Sequence, residues 1–370
     1  MTSLTDLYDR YGQSPWIDNL RRDWLHDGTL AKYLADGVRG VTSNPSIFAK
    51  TIGGSSAYDE DIANSTDVDP ERVFEHLAVA DVQNACDLLA VVHESSRREF
   101  DEKQRRYLDG FVSLEVSPRL AHDTEGTIAA AKRLFAEVDR PNVMIKIPAT
   151  KAGLPAITAV LAAGINVNVT LIFSVDRYDE VITAWRHGIR GAHEAGKDVS
   201  EIASVASFFV SRVDVAVDAL LPDGDPRRGT TANAQAAAAY ELYRRRVASE
   251  EVANLLGLGA QVQRPLWAST STKNPTYDDL LYVDRLVANE TVNTMPDATL
   301  ADALDHLNPT ESYLLNDETA RATAALLNGL APDVTLSKVS DQLEDEGVAS
   351  FAKAYDELLE TVSSKMHTAK

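Results

Sequence analysis

Short apolar runs alternate with longer stretches of helical periodicity along most of the chain, and this alternation is its main structural signal. Strand-like runs fall at 15–19, 37–45, 110–116, 142–148, 166–172, 203–208, 264–269 and 290–294. Each precedes sequence of helical character, as in 20–34, where Leu20, Trp24, Leu25, Leu30 and Leu34 can share one broad face, with Asp123 and Ser174 marking later helix starts and Ser46 able to cap another. A long helix is predicted over 70–99. Within the strands the period is two, so Ser113 and Glu115 oppose Val112, Leu114 and Val116, while Asn168 and Thr170 oppose Val167, Val169 and Leu171. One face is leucine or β-branched and suits packing beneath helices; the other carries Ser, Glu, Asn, Thr and Lys. Eight strand–helix units in alternation predict a parallel sheet of the α/β class, closed into a (β/α)8 barrel with additional N- and C-terminal helices. Polar residues on the inner face then belong at the mouth of that barrel, because an ordinary lumen is filled by branched apolar side chains. The expected organisation is a single barrel domain over 1–370, with 308–370 a helical, acidic segment packed on the outside.

Composition narrows the class of partner. The 370 residues are 44% hydrophobic and 25% charged, the proportions of a globular protein. With 36 Lys and Arg against 56 Asp and Glu the formal charge is −20, which disfavours nucleic acid and anionic membrane but leaves room for a local basic pocket that holds a phosphorylated metabolite. The single cysteine, Cys86, cannot form an intramolecular disulfide, and no apolar N-terminal segment is present, so a reducing cytoplasm is the expected setting. Glycine-rich nucleotide loops, a G-x-S-x-G elbow and an H-E-x-x-H pair are all missing from the sequence. His122-Asp123-Thr124-Glu125 reads as a helix start rather than a metal cluster, since Asp and Thr suit the cap and Glu the first turn.

The anomaly in the pattern is Lys146, a cation between Ile145 and Ile147 in a run that stops at Pro148. Desolvation there favours the neutral amine, the form that attacks ketones and aldehydes to give Schiff bases. Alternatively the lysine extends from an edge strand into solvent. Glu115 ends the preceding strand, so it neighbours Lys146 in a barrel, where a carboxylate can move the protons of carbinolamine chemistry or serve as a plain ion pair. Asp18 and Thr170 also fall on inner faces; the bland alternatives are a helix cap for Asp18 and a satisfied backbone group for Thr170. Ser207 and Arg212, where a strand turns into a helix, form a candidate phosphate site, and Lys273 can add a second positive charge from a loop.

Taken together, Gly40-Val41-Thr42-Ser43-Asn44-Pro45-Ser46, Val112-Ser113-Leu114-Glu115-Val116, Lys146-Ile147-Pro148-Ala149-Thr150, Asn166-Val167-Asn168-Val169-Thr170 and Arg264-Pro265-Leu266-Trp267-Ala268-Ser269 resemble the transaldolases, in the form found in actinobacteria. The resemblance implies a class I aldolase barrel without cofactor or metal, acting on sugar phosphates. It would transfer a dihydroxyacetone unit from sedoheptulose 7-phosphate to glyceraldehyde 3-phosphate in the non-oxidative pentose phosphate pathway. By position it implies Lys146 as the Schiff-base lysine and Asp18 as the acid/base of carbon–carbon cleavage, with Glu115 and Thr170 handling water. Asn44, Ser113 and Asn168 would bind the dihydroxyacetone unit, Ser207 and Arg212 the phosphate. Lys273 departs from the arginine that many members carry there, offering charge without a bidentate fork. Simple fructose 6-phosphate cleavage and a non-catalytic sugar-phosphate binding barrel stand as alternatives, and monomer and homodimer are both compatible with the sequence.

Overall fold

Every strand-like run forms a strand, and every strand lies parallel to both of its neighbours. The computed structural model describes residues 3–103, 105–309, 314, 317–330 and 333–368; within the segment 308–370, residues 310–313, 315–316, 331–332 and 369–370 lie outside that description. The strands β1 (Gln13–Ile17), β2 (Val41–Thr42), β3 (Val112–Glu115), β4 (Val143–Pro148), β5 (Val167–Ile172), β6 (Ser204–Phe209), β7 (Arg264–Ala268) and β8 (Thr291–Met295) follow one another around a closed barrel. Closure comes from β8 pairing with β1, Thr294 beside Trp16 and Met295 beside Ile17. Among the described residues no helix is long and apolar enough to cross a membrane.

Local chemistry shifts several boundaries. The helix expected over 20–34 is two helices, Arg22–His26 and Thr29–Ala35, because Gly28 takes a left-handed φ of 87° and the Asp27 carboxylate accepts the Thr29 N–H at 2.8 Å. The strand expected over 37–45 narrows to Val41–Thr42, and Asn44 rather than Ser46 caps the following helix, Pro45–Gly53. Proline at the first helical position holds Asn44 extended, φ −157° and ψ 168°, as the sequence requires. Just before β2, Gly40 lies flat against Trp16: a Cβ there would sit 2.3 Å from the indole, so only glycine fits.

The inner positions of β1 run from floor to mouth. Ser14 and the Trp16 indole both bond to Asp109, Trp16 Nε1 donating at 2.9 Å, while Asp18 emerges at the opposite end. Asp109 is fully buried and also meets the guanidiniums of Arg39 at 3.0 Å and Arg264 at 3.3 Å; Arg264, from the start of β7, is 1% exposed. Burial by itself would raise the Asp109 carboxyl, but Arg264 and Arg39 and the Ser14 hydroxyl hold it below its ordinary value. This pairing lets the barrel keep charge in its floor.

The C-terminal helix, Leu336–Thr368, packs on the helices that follow β2 and β6, Pro45–Gly53 and Ser211–Asp218, and also on Pro70–Lys103. Strands two and six of an eight-strand barrel face each other across the lumen, so a helix touching both spans the mouth. It is fastened along its length: Ser340 Oγ donates to the Phe173 carbonyl at 2.9 Å, Tyr355 to Glu71 at 2.8 Å, and Lys365 to the Ser55 carbonyl at 3.1 Å.

Removing the floor carboxylate leaves the buried Arg264 guanidinium without its counter-charge and takes one from the half-buried Arg39. Asp109→Ala is expected to destabilise the fold by about 3–5 kcal/mol, read from denaturant unfolding at neutral pH. Because the folded carboxyl is depressed, its contribution persists at neutral pH and falls away as the pH drops below about 4, the range in which the unfolded chain takes up the proton first.

Candidate active site

Strand register does most of the assembly. Glu115 at the end of β3 pairs with Lys146 on β4, Lys146 with Asn168 on β5, and Pro148 with Thr170 one inward step nearer the mouth. Alternation then turns Glu115, Lys146, Asn168 and Thr170 into the lumen together. A cavity of about 170 Å³ opens above them, lined by Asp18, Asn44, Lys146, Thr170, Ser207, Arg212 and Lys273, seven of the ten residues singled out in the sequence. Glu115, Ser113 and Asn168 stand behind that lining and connect to it.

Lys146 is 4% exposed, so the solvent-reaching edge-strand geometry does not apply. Its Nζ lies 3.2 Å from Glu115 Oε2 and donates to the Ser43 carbonyl at 3.2 Å. Burial raises the Glu115 carboxyl above its ordinary value, with Lys146 opposing the rise. Asp18 behaves alike: burial pushes it up, against the pull of Lys146 and the Thr42 hydroxyl. It caps no helix, since Arg21 precedes the helix at Arg22, and its Oδ1 instead accepts from Thr42 Oγ1 at 2.6 Å. Thr42 is in turn 2.7 Å from the Thr294 hydroxyl of β8, a contact across the closing strands.

Thr170 is buried with its Oγ1 unpartnered, so it satisfies no backbone group. The residue after it, Leu171, has φ of 60°, and the β5–β6 register shifts between Val169 and Ile172. Such an irregularity at a barrel rim re-aims side chains at the strand end. Below, a lateral chain of bonds fixes one layer: Asn168 Nδ2 donates to Ser113 Oγ at 3.0 Å and Ser207 Oγ donates to Asn168 Oδ1 at 2.7 Å. Asn44 uses its Oδ1 to accept the Ile47 N–H at 3.1 Å, which leaves its NH₂ group for the cavity.

The far wall is cationic. Arg212, in the first turn of the helix Ser211–Asp218, lies with its guanidinium carbon 5.5 Å from the Phe209 ring centroid, and Lys273 Nζ donates to Ser271 Oγ at 2.5 Å. Neither forms an ion pair among the described residues, in a chain with an excess of 20 negative charges. Burial lowers Arg212; Lys273, whose side chain is largely exposed, is lowered by partial desolvation at the cavity wall and by the nearby Arg212. Two adjacent, underneutralised cations give this wall a local positive potential.

Sequence reasoning missed Thr42, Phe209, Thr294 and Phe351. Thr42 stood within the Thr-Ser-Asn-Pro motif and could have been taken from it. Phe351 lies in the acidic C-terminal segment with no local signal. The His122–Glu125 stretch is a helix start as expected, Asp123 accepting the Gly126 N–H at 2.9 Å.

A family model described as Transaldolase/Fructose-6-phosphate aldolase matches residues 15–362. The chain is 46% identical to a transaldolase of Parafrankia sp. over 99% of this chain and 98% of that one, and 46% identical to a transaldolase of Mycolicibacterium smegmatis over 97% and 96%. A protein named transaldolase 2 from Nostoc punctiforme is 42% identical over 96% of both chains. With a closed parallel barrel, matching relatives along nearly its whole length and a family model spanning most of its residues, the chain belongs to the Transaldolase/Fructose-6-phosphate aldolase family.

Proposed function

We propose that this protein is a transaldolase that moves a dihydroxyacetone unit from sedoheptulose 7-phosphate to glyceraldehyde 3-phosphate, giving erythrose 4-phosphate and fructose 6-phosphate through a Schiff base on Lys146. The observation that carries this reading is the buried Lys146–Glu115 pair set between Asp18 and an unpaired Arg212–Lys273 wall in one cavity. Its phosphorylated substrates and single buried thiol, Cys86, suit a cytoplasmic reaction of the pentose phosphate pathway.

Each step has a residue in reach. Burial raises the proton affinity of Glu115 and so eases the handover of a Lys146 proton, freeing an amine to attack the C2 ketone. Dehydration of the carbinolamine requires a proton delivered to the departing hydroxyl; Glu115 and a water held by the open Thr170 hydroxyl would supply it. The protonated imine then withdraws electrons, and Asp18, whose affinity for protons burial has raised, takes the C4 hydroxyl proton as the C3–C4 bond breaks. An enamine remains on Lys146 while the first aldose departs. The acceptor aldehyde is attacked by the enamine carbon, and Asp18 returns its proton to the new C4 oxygen; water guided by Glu115 and Thr170 then adds to C2 of the imine, and the C–N bond breaks to free fructose 6-phosphate and the Lys146 amine.

Asn44, and Asn168 with Ser113 behind it, would hold the three-carbon unit. The Ser207 hydroxyl proton is committed to Asn168, so we assign Ser207 chiefly to orienting that amide and leave the phosphate to Arg212 and Lys273. Lysine contributes point charge, and arginine the directional fork.

Treatment with fructose 6-phosphate and borohydride is expected to reduce the imine to a stable secondary amine at Lys146, located by peptide mass mapping; labelling elsewhere, or none, would sink the reading. Asp18→Asn should lower kcat by about 10²–10⁴-fold while still permitting some borohydride labelling, because imine formation precedes its step. Arg212→Ala should raise KM for phosphorylated aldoses by about ten- to hundredfold, the loss of a charge-assisted hydrogen bond, with a smaller effect on unphosphorylated glyceraldehyde; equal effects on both acceptors would exclude a phosphate role.

A further inference from the structure

The barrel does not build the roof of its own cavity. Phe351, from the middle of the C-terminal helix, lines the cavity with Asp18, Lys146 and Thr170, and its ring centroid lies 5.7 Å from Lys146 Nζ. Only 4% of the residue is exposed, so the ring faces the site rather than bulk water.

Its position is held from both sides. Four residues earlier, Gly347 sits so close to Leu171 and Phe173 that an added Cβ would lie 3.0 Å from Leu171 Cδ2. Four residues later, Tyr355 packs edge-on against Phe74 at 5.7 Å between ring centroids and donates to Glu71 at 2.8 Å. Positions four apart share a helix face, so Gly347, Phe351 and Tyr355 form one contact line over the barrel mouth. Phe351 is thus a fixed cover.

We infer that Phe351 is a positioning residue that shields the lysine-bound three-carbon intermediate from water and thereby sets how often that unit is transferred rather than released. The inference rests on the Schiff-base reading above. The enamine has two fates. In transfer, its carbon bonds to an aldehyde carbon and the aldehyde oxygen takes up a proton. In release, one water is consumed: a proton goes to the enamine carbon, the water oxygen adds to the imine carbon, and the C–N bond breaks to give free dihydroxyacetone and the lysine amine. Both fates end with water adding to the imine carbon; only release first needs a proton at the enamine carbon, and an apolar ring over the lysine nitrogen keeps a proton-bearing water from the three-carbon unit while the enamine awaits an acceptor. The ring face also attracts a cation within about 6 Å, so it favours the protonated imine that both cleavage and addition pass through.

The test uses the full chain with fructose 6-phosphate as donor, comparing free dihydroxyacetone released without acceptor to flux into sedoheptulose 7-phosphate with erythrose 4-phosphate present. Phe351→Ala should raise the ratio of release to transfer by at least about tenfold, equivalent to ~1.4 kcal/mol in relative barrier, while Phe351→Leu, which keeps an apolar roof, should stay within about threefold of the parent. Thermal unfolding establishes that each variant is folded. A folded Phe351→Ala whose ratio matches the parent overturns the inference; if that variant does not fold, Phe351→Val decides in the same way, a raised ratio supporting it and an unchanged one overturning it. Borohydride labelling of the parent separates the two levels. An unlabelled parent overturns both readings, whereas a labelled parent with unchanged variant ratios overturns only the role of Phe351.

Discussion

Closure of the barrel between β1 and β8 is the constraint on which the rest of the structure depends. A closed lumen has room for a fixed set of side chains and little solvent to neutralise them, so an inward charge needs a polar or charged partner contributed from elsewhere in the barrel. At the floor that partner is Asp109, which takes Arg39 and Arg264 at once. At the mouth it is Glu115, beside Lys146. The two pairs solve the same electrostatic problem with opposite consequences. Asp109 is tied by four neighbours, Ser14, Trp16, Arg39 and Arg264, away from the substrate cavity. Glu115 and Lys146 instead adjoin the open cavity at the barrel mouth.

A contrast of bonded and open groups runs through the middle of the site. Ser113, Asn168 and Ser207 bond to one another and hold a layer in place, whereas Thr170 carries a buried hydroxyl without a partner and Arg212 and Lys273 carry charge without one among the described residues. Groups already satisfied define geometry; groups left open are those with free energy to gain from a ligand. Burial then tunes the acids in one direction. Asp18 and Glu115 are both pushed up by burial, against the opposing pull of Lys146.

The C-terminal helix changes the character of the mouth. An open barrel end would leave Lys146 beside solvent. A helix fastened at Ser340, Tyr355 and Lys365 lays a rigid apolar residue over the opening instead. Glu346 on the same helix acts electrostatically on Arg212, so the segment bears on both the lysine and the cationic ends of the cavity.

The sequence by itself determined the strand–helix alternation, the inward parity of Ser113, Glu115, Lys146, Asn168 and Thr170, and the motifs that carry the family likeness, because each depends on residues close in the chain and on a period of two. It also marked Arg212 and Lys273 as cations near strand ends. Only the tertiary structure decided what those positions meet. Asp18 bonds to Thr42 rather than capping a helix, Ser207 turns its proton to Asn168, the helix expected over 20–34 breaks at Gly28, and Phe351 arrives over Lys146 from 205 positions away in the chain. Those outcomes depend on which groups share a desolvated volume once the barrel closes and the last helix crosses its mouth, and no local pattern in a linear sequence encodes that proximity.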